Sequence, residues 1–503
     1  MTYVRKLASN TFYIFLQSSS LLFFSLLYWI VAGKLLLPEE YGIANTTIQF
    51  IGLLSTISLL GLTSAVSKLI PEYHGTKKHN RIYGVIRYTF KIILILNLVA
   101  LISIFFLSPF LASVIFKDPN LFATFQIASV GVLLSSFSTF FYSIIYGFQK
   151  MRLVFISDFF SNLIKVIISI SLILLGYSFF GPITGFVIAL LVGSLIKLTG
   201  IKLKKANEID VSKIWMYALP ALIGTLCVIL LNQTGAIILS SFSSVKAAGL
   251  FGLASAIASP ILMIPNILSS SSFPIFSGMY GKKKRKDIEQ LLYTTIKYSL
   301  LISIPIILVI VTFPHVAIRF LAKPEYLESI NVLRLLSVSN LIFGIGSILL
   351  NVLYAVGKPS INRNILIVSS IVYLPLAVLL ATSFSAIGIT FAYLISFSLM
   401  LALAIFYVKK FYKFEFRLSY LTKTLISALI TLIFLYAVGT IVDNIYELII
   451  VAISSAFLYL VILFPLKFFD KQDLLLLEGL RKGMPKTIDR IIYFFENLIK
   501  RFL

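Results

Sequence analysis

The sequence predicts an all-α polytopic membrane protein with about 14 transmembrane helices, arranged as two parallel six-helix lobes plus two appended helices. Three observations predict it. The 503 residues are 59% hydrophobic and 12% charged, with a mean hydropathy of +1.01, leaving too little polar sequence to cover such a surface in water. Apolar runs of about 20 residues recur from end to end, long enough to cross a core of about 30 Å as helices; a β-barrel would instead show alternating segments of about ten residues. Finally, the plan of residues 35–75 returns about 206 residues later, the mark of a duplicated architecture.

In chain order the expected spans are 12–33, 43–66, 85–107, 122–147, 153–175, 181–201 and 215–240, then 248–274, 293–314, 328–356, 361–381, 385–406, 420–442 and 446–466. The first follows Arg5-Lys6 with no small-residue cleavage pattern, so it is expected to be retained. The second follows the turn Leu36-Leu37-Pro38-Glu39-Glu40-Tyr41-Gly42 and ends on a basic loop; the eighth follows Ser243-Ser244-Val245-Lys246-Ala247-Ala248-Gly249 and ends on Lys282 to Lys286. The fourth and tenth are long enough to overrun the bilayer, which tilting allows. Gly176, Gly181-Pro182, Lys323-Pro324 and Gly357-Lys358-Pro359 mark turns. Pro220, Pro260, Pro265, Pro274 and Pro305 gather in spans seven to nine, which predicts a more bent second half.

Charge sets the orientation. With 43 basic and 19 acidic residues the net charge is +24, and the bases concentrate in alternate loops: Lys77-Lys78-Arg81, Lys150/Arg152, Lys202 to Lys213, Lys282 to Lys286, Lys358/Arg363 and Lys409 to Arg417. Excess Lys and Arg mark the cytoplasmic side, so both termini are expected inside a plasma-membrane protein. Scattered between apolar runs, these bases do not form a nucleic-acid surface.

The repeat pairs Gly42 with Gly249, Gly75 with Gly281, Lys117 with Lys323 and Tyr146 with Tyr354. An even number of spans per copy makes the copies parallel. The expected domains are an N-terminal lobe (1–205), a C-terminal lobe (206–415), two additional helices (416–469) and a cytoplasmic tail (470–503). From Ile488 apolar residues recur at steps of three and four, predicting an amphipathic helix on anionic lipid or on the protein's own loops.

Several chemistries are excluded or disfavoured. The single Cys227 forms no intrachain disulfide, and three dispersed histidines offer no metal spacing. No phosphate-cradling glycine loop occurs, and no segment outside the spans is large enough for a catalytic domain. The expected protein is not an enzyme and uses no cofactor or metal.

Polar residues inside spans are costly and therefore informative. Lys165 lies 13 residues past Arg152, about 20 Å along the helix. With Asp158, Asn162 and Ser169 it forms one stripe suited to an anionic ligand; an interhelical contact is the plain alternative. Arg334 heads a second stripe with Ser337, Gly344 and Asn351, and snorkelling to headgroups is its alternative. Gln49 on span two, with Asn232 and Gln233 on span seven, make softer stripes that equally suit helix packing. Lys68 and Lys297 lie near cytoplasmic ends as topology anchors or as bases for anion entry. Buried carboxylates are scarce, Asp158 being the clear case, which favours an anionic over a cationic substrate.

Leu36-Leu37-Pro38-Glu39-Glu40-Tyr41-Gly42, Gly61-Leu62 and Lys68-Leu69-Ile70-Pro71-Glu72-Tyr73, with the six-plus-six-plus-two layout, resemble the polysaccharide-biosynthesis oligosaccharide flippases of the multidrug/oligosaccharidyl-lipid/polysaccharide exporter superfamily. The resemblance covers about residues 5 to 470. It implies a V-shaped pair of lobes with alternating access. It also implies transfer of a polyprenyl-(pyro)phosphate-linked oligosaccharide to the outer leaflet. The implied partners are that substrate, membrane lipids and glycan-assembly enzymes. The family carries no short catalytic motif, so the resemblance assigns no site residue. A small-molecule exporter on the same scaffold is the runner-up, and a membrane glycosyltransferase the third reading.

Overall fold

The computed structural model describes residues 2–76, 78–201, 209–411, 418–439, 442–470, 473–474 and 493. The basic run 202–205 and the amphipathic segment expected from Ile488 lie outside the described residues, apart from Tyr493. Every regular element among the described residues is helical. Among the described residues thirteen helices are long and apolar enough to cross a membrane. One of them, Pro359–Phe411, contains 53 residues and reverses at Ser385 (φ 54°, ψ −135°), so it supplies two crossings and brings the count to the expected fourteen. The protein is a polytopic helical membrane protein.

The spans are Thr2–Leu35, Pro38–Leu59 continued by Leu62–Gly75, His79–Phe106, Phe122–Gly147, Met151–Leu172, Phe180–Leu198, and Val211–Gln233 continued by Gly235–Phe242. Then come Val245–Gly281, Arg285–Thr312, Ile330–Ala355, the two arms of Pro359–Phe411, Leu418–Val438 and Ile445–Leu463. They are called spans one to fourteen below. Breaks do not fall at the prolines. Span eight runs through Pro260 and Pro265 as one helix, whereas span two breaks at Leu60-Gly61, both left-handed, and span seven breaks at Thr234. A proline removes one backbone bond, which a helix tolerates with a bend; at Gly61 a Cβ would overlap the Ala218 carbonyl, so a neighbouring backbone occupies the notch.

The duplication extends to backbone detail. Ser178 (φ 45°, ψ −128°) and Ser385 reverse the chain between spans five and six and between eleven and twelve. Short helices Ser108–Ile115 and Pro314–Leu321 follow spans three and nine. On the opposite ends, four reversals share one cap. The amide N–H groups of Lys78, Lys150, Lys284 and Lys358 donate to the carbonyls of Tyr73, Ile145, Met279 and Leu353 at 2.9, 3.1, 3.0 and 2.9 Å. This is the six-to-one bond of a Schellman cap. Gln149, Lys283 and Gly357 precede it with φ of 58, 56 and 75°. Each lysine also begins the next helix, at a point where the preceding carbonyls favour positive charge.

Contacts divide the chain into two compact units: residues 1–257, 321–336 and 363–400, and residues 258–320, 337–362 and 401–503. In the first unit the starts of spans two and eight cross at their paired glycines. A Cβ on Gly42 would overlap the Val245 carbonyl, and one on Gly249 the Pro38 carbonyl. Pro38 and Val245 are themselves repeat partners, so the contact is isologous. Lysine caps repeat the reciprocity: Lys117 Nζ donates to the Ser243 carbonyl (3.2 Å) and Lys323 Nζ to the Leu35 carbonyl (2.9 Å). Pro38 opens span two, and the Leu37 N–H donates to the Glu40 carboxylate at 2.8 Å, satisfying one of the bare amides of a helix start.

Spans five and six pack through small residues. Ser157 Oγ donates to the Gly193 carbonyl (2.8 Å) and Ser161 Oγ to the Ala189 carbonyl (2.6 Å), while Gly185 has no room for a Cβ beside Ser169. Close backbone approach of this kind holds helices together where lipid offers no hydrophobic drive.

In the second unit, span ten is tied to span eight by Asn340 Nδ2 to the Ala258 carbonyl (3.1 Å) and Asn351 Nδ2 to Ser269 Oγ (2.6 Å).

Candidate functional site

The break at Leu60-Gly61 re-aims the second half of span two. In Leu62–Gly75, Leu62, Ala65, Val66, Leu69, Ile70 and Tyr73 are buried against spans three, four and seven. That leaves Thr63, Ser64, Ser67 and Lys68 on the opposite face, as a helical period requires. With Thr139, Tyr142 and Ser143 of span four they line a cavity of about 430 Å³, within the range of small-molecule sites. Lys68 is exposed in it, and no described carboxylate forms an ion pair with it. The cavity offers hydroxyl donors and acceptors beside one unneutralised ammonium, a set suited to phosphate and sugar oxygens.

Lys165 is the second uncompensated base. Its Nζ lies 3.9 Å from the Tyr28 ring centroid, 5.5 Å from Phe186 and 5.7 Å from Trp29. Aromatic faces hold a cation without neutralising it. The stripe that carries it is split. Asp158 pairs with Lys197 of span six (3.0 Å) and accepts from Gln17 Nε2 of span one (2.6 Å). Ser138 Oγ of span four lies 3.0 Å from the same ammonium. Asn162 Nδ2 bonds within its own helix to the Asp158 carbonyl (2.7 Å), and Ser169 sits in the glycine contact with span six. Sequence reasoning missed Lys197, which reads as a terminal anchor. The available signal was a base at the end of span six level with an acid in the first two turns of span five.

The Gln49 and Gln233 side chains both lie at the break in span seven. Gln49 Oε1 accepts from the Ala236 N–H (3.3 Å), its Nε2 faces Asn45 Oδ1 (3.4 Å), and Thr46 Oγ1 reaches Ser240 Oγ (2.8 Å). Gln233 Oε1 fills the space a Cβ at Gly52 would take, and it has no partner among the described residues; neither has Asn45 Nδ2. Asn232 is exposed, and its Nδ2 donates to the Val228 carbonyl of its own helix (2.8 Å).

The remaining candidates are placed elsewhere. Lys297 is buried and bound to Asp473 (2.6 Å) and Asp470 (3.6 Å), with Tyr298 Oη donating to Asp473 (2.6 Å) and the Phe468 ring centroid 4.9 Å away. This network fastens span nine to the segment after span fourteen. Asn351 is spent on Ser269. Arg334 is exposed, with Asn331 Oδ1 at 3.5 Å. The structure thus places Gln49 and Gln233 at one helix break, joins Asp158 to Lys197, and among the described residues leaves Lys68 and Lys165 as bases without ion-pair partners. Among the described residues no His, Cys, Asp and Glu cluster is arranged to hold a metal.

The family model described as polysaccharide biosynthesis protein matches residues 7–280, and the MatE model matches residues 220–379. The chain is 21% identical over 454 residues to the uncharacterized membrane protein MJ1068 of Methanocaldococcus jannaschii, covering 85% of this chain and 89% of that protein. It is 24% identical over 181 residues to the probable low-salt glycan biosynthesis flippase Agl15 of Haloferax volcanii, covering 36% and 38%. Among solved structures, the lipid II flippase MurJ in an inward closed conformation aligns with a TM-score of 0.74 at 17% identity, over 90% of this chain and 98% of that one. An inward-facing multidrug resistance MATE family transporter aligns with a TM-score of 0.64 at 15% identity, over 78% and 95%. Both are similar in fold.

Proposed function

Because the chain belongs to the polysaccharide biosynthesis protein family, we propose that it is a flippase moving a polyprenyl-(pyro)phosphate-linked oligosaccharide from the cytoplasmic to the outer leaflet. Two lobes, 1–205 and 206–415, would rock about the substrate to alternate access. The observation that carries this reading is a pair of bases with no ion-pair partner among the described residues, Lys68 on a hydroxyl-lined cavity and Lys165 in its aromatic cage. A phosphate leaving water loses hydration, and fixed cations and donors offset that loss. The lipid tail needs no such help, since it remains in hydrocarbon. The names of a relative and of a structural neighbour agree with this substrate class, Agl15 as a probable low-salt glycan biosynthesis flippase and MurJ as a lipid II flippase.

The second reading, export of small molecules, is favoured by the MatE match over residues 220–379. For cationic compounds it needs a buried acid free to bind them, and Asp158 is already held by Lys197 and Gln17.

The test is transport by proteoliposomes loaded with lipid-linked oligosaccharide. Lys68→Ala and Lys165→Ala are expected to lower the initial rate of leaflet transfer by about tenfold each, the worth of one charge-assisted contact of about 1.4 kcal/mol. Lys68→Arg should retain more than Lys68→Ala. Unchanged rates in both alanine variants, at equal protein incorporation, would remove these bases from the mechanism.

A further inference from the structure

The second unit carries a basic pocket that the transport reading does not use. Its volume is about 550 Å³, and Tyr280, Lys283, Arg285, Ile288, Lys358 and Phe411 are among its lining residues. It is built by the hairpin apices between spans eight and nine and between ten and eleven, closed by the end of span twelve. Lys283 stands at the left-handed residue of one Schellman turn, and Lys358 donates the closing backbone bond of the other. The caps therefore fix both lysines at the level where helices leave the apolar core.

Charge in the pocket is unbalanced. Arg285 donates to the Phe411 carbonyl and lies 3.6 Å from Glu289, and Asp287 is held by Lys284 at 3.1 Å. Among the described residues Lys283 has no ion-pair partner, and Lys358 has a ring contact, 5.1 Å from the Phe411 centroid, and no ion pair. The repeat partner of Lys358 is Lys150, whose Nζ is committed to the Gly200 carbonyl at 2.8 Å. The first copy has thus used this lysine as a helix cap, whereas in the second copy Lys358 is not committed to a carbonyl among the described residues. Ile288, Val356 and Phe411 give the pocket an apolar floor under a cationic rim.

We propose that this pocket binds the phosphate of an anionic phospholipid headgroup, the glycerol and upper acyl carbons resting on the Ile288–Phe411 floor. Two ammonium groups near one phosphate supply the charge, and an apolar floor beside them distinguishes a lipid from free phosphate. Basic pockets between helices at a membrane surface select anionic headgroups in this way.

The test uses the full-length protein in mixed micelles, with retained lipid counted by native mass spectrometry. Phosphatidylglycerol and phosphatidylcholine serve as probes, and inorganic phosphate is the third arm. The wild type is expected to retain phosphatidylglycerol about tenfold over phosphatidylcholine, and Lys283→Gln with Lys358→Gln to lose most of that preference. Lys282→Gln with Lys286→Gln, which alters the same loop outside the pocket lining, should keep it. Equal retention of both lipids by the wild type would overturn the proposal, and this arm needs no variant to fold. Retention unchanged in the double pocket variant would overturn it as well. Displacement of phosphatidylglycerol by millimolar inorganic phosphate would overturn the lipid assignment in favour of a free-phosphate site.

Discussion

Lys165 and Asp158 occupy one stripe of one helix and have opposite fates. Seven residues separate them, about 10 Å along the axis, far beyond ion-pair reach, so each answers to different neighbours. Asp158 meets Lys197, and Lys165 meets the rings of Tyr28, Trp29 and Phe186. The depth of Lys165 is legible in the sequence because distance along a helix is fixed by residue count. The partner of Asp158 is not legible, because it depends on the rotation of span six against span five, which the Gly185, Ala189 and Gly193 contacts set. Lys297 shows the same limit: its acids lie more than 170 residues away in a segment the sequence reading treated as a tail. Removing one side of the Asp158 pair strands a mostly buried charge. Lys197→Ala is therefore expected to lower stability by on the order of 3 kcal/mol, discounted somewhat because Asp158 keeps partial solvent contact. Asp158→Asn combined with Lys197→Met should recover much of that loss. Thermal unfolding in detergent checks both, and a single variant as stable as the wild type would show that the pair is dispensable.

Among the elements, span two explains the residues that carry the family resemblance. Pro38 presets the first helical turn, Glu40 accepts the Leu37 N–H, and Gly42 lets the span eight backbone approach. Only that last role is invisible locally, since Gly42 acts through Val245, about two hundred residues away. The break at Leu60-Gly61 was also hidden, because Gly61 lies inside an apolar run where one glycine is an ordinary packing residue. By contrast, the prolines of span eight, which are expected to bend the chain, do not interrupt its helix. Gly249→Ala is expected to destabilise by about 1–3 kcal/mol or to block folding, since the obstacle is the Pro38 backbone rather than a movable side chain. Gly278→Ala, in the same helix with nothing within 4 Å of the added methyl, should be neutral or stabilising. Thermal shifts of the two variants decide it; equal effects would mean that the crossing adjusts without cost.

For the whole molecule, the fourteen crossings and the duplication were legible because both are written in composition and spacing. The division into two compact units was not, as each unit draws on three separate stretches of chain. Orientation rests on the lysines at the four Schellman-capped apices, and we propose that this side and both termini are cytoplasmic. In a Cys227→Ala background, Lys283→Cys should react with an impermeant maleimide only from the cytoplasmic side, and Asn120→Cys only from outside. The reverse pattern would invert the topology. The most direct measurement of the central claim is leaflet accessibility in proteoliposomes that contain a fluorescent polyprenyl-pyrophosphate oligosaccharide, with a phosphate-free polyprenyl glycoside and a cationic drug as alternatives. Protein-dependent movement of the pyrophosphate lipid is expected, with much slower movement of the phosphate-free glycoside and no drug flux. Drug flux without movement of the pyrophosphate lipid would contradict the claim.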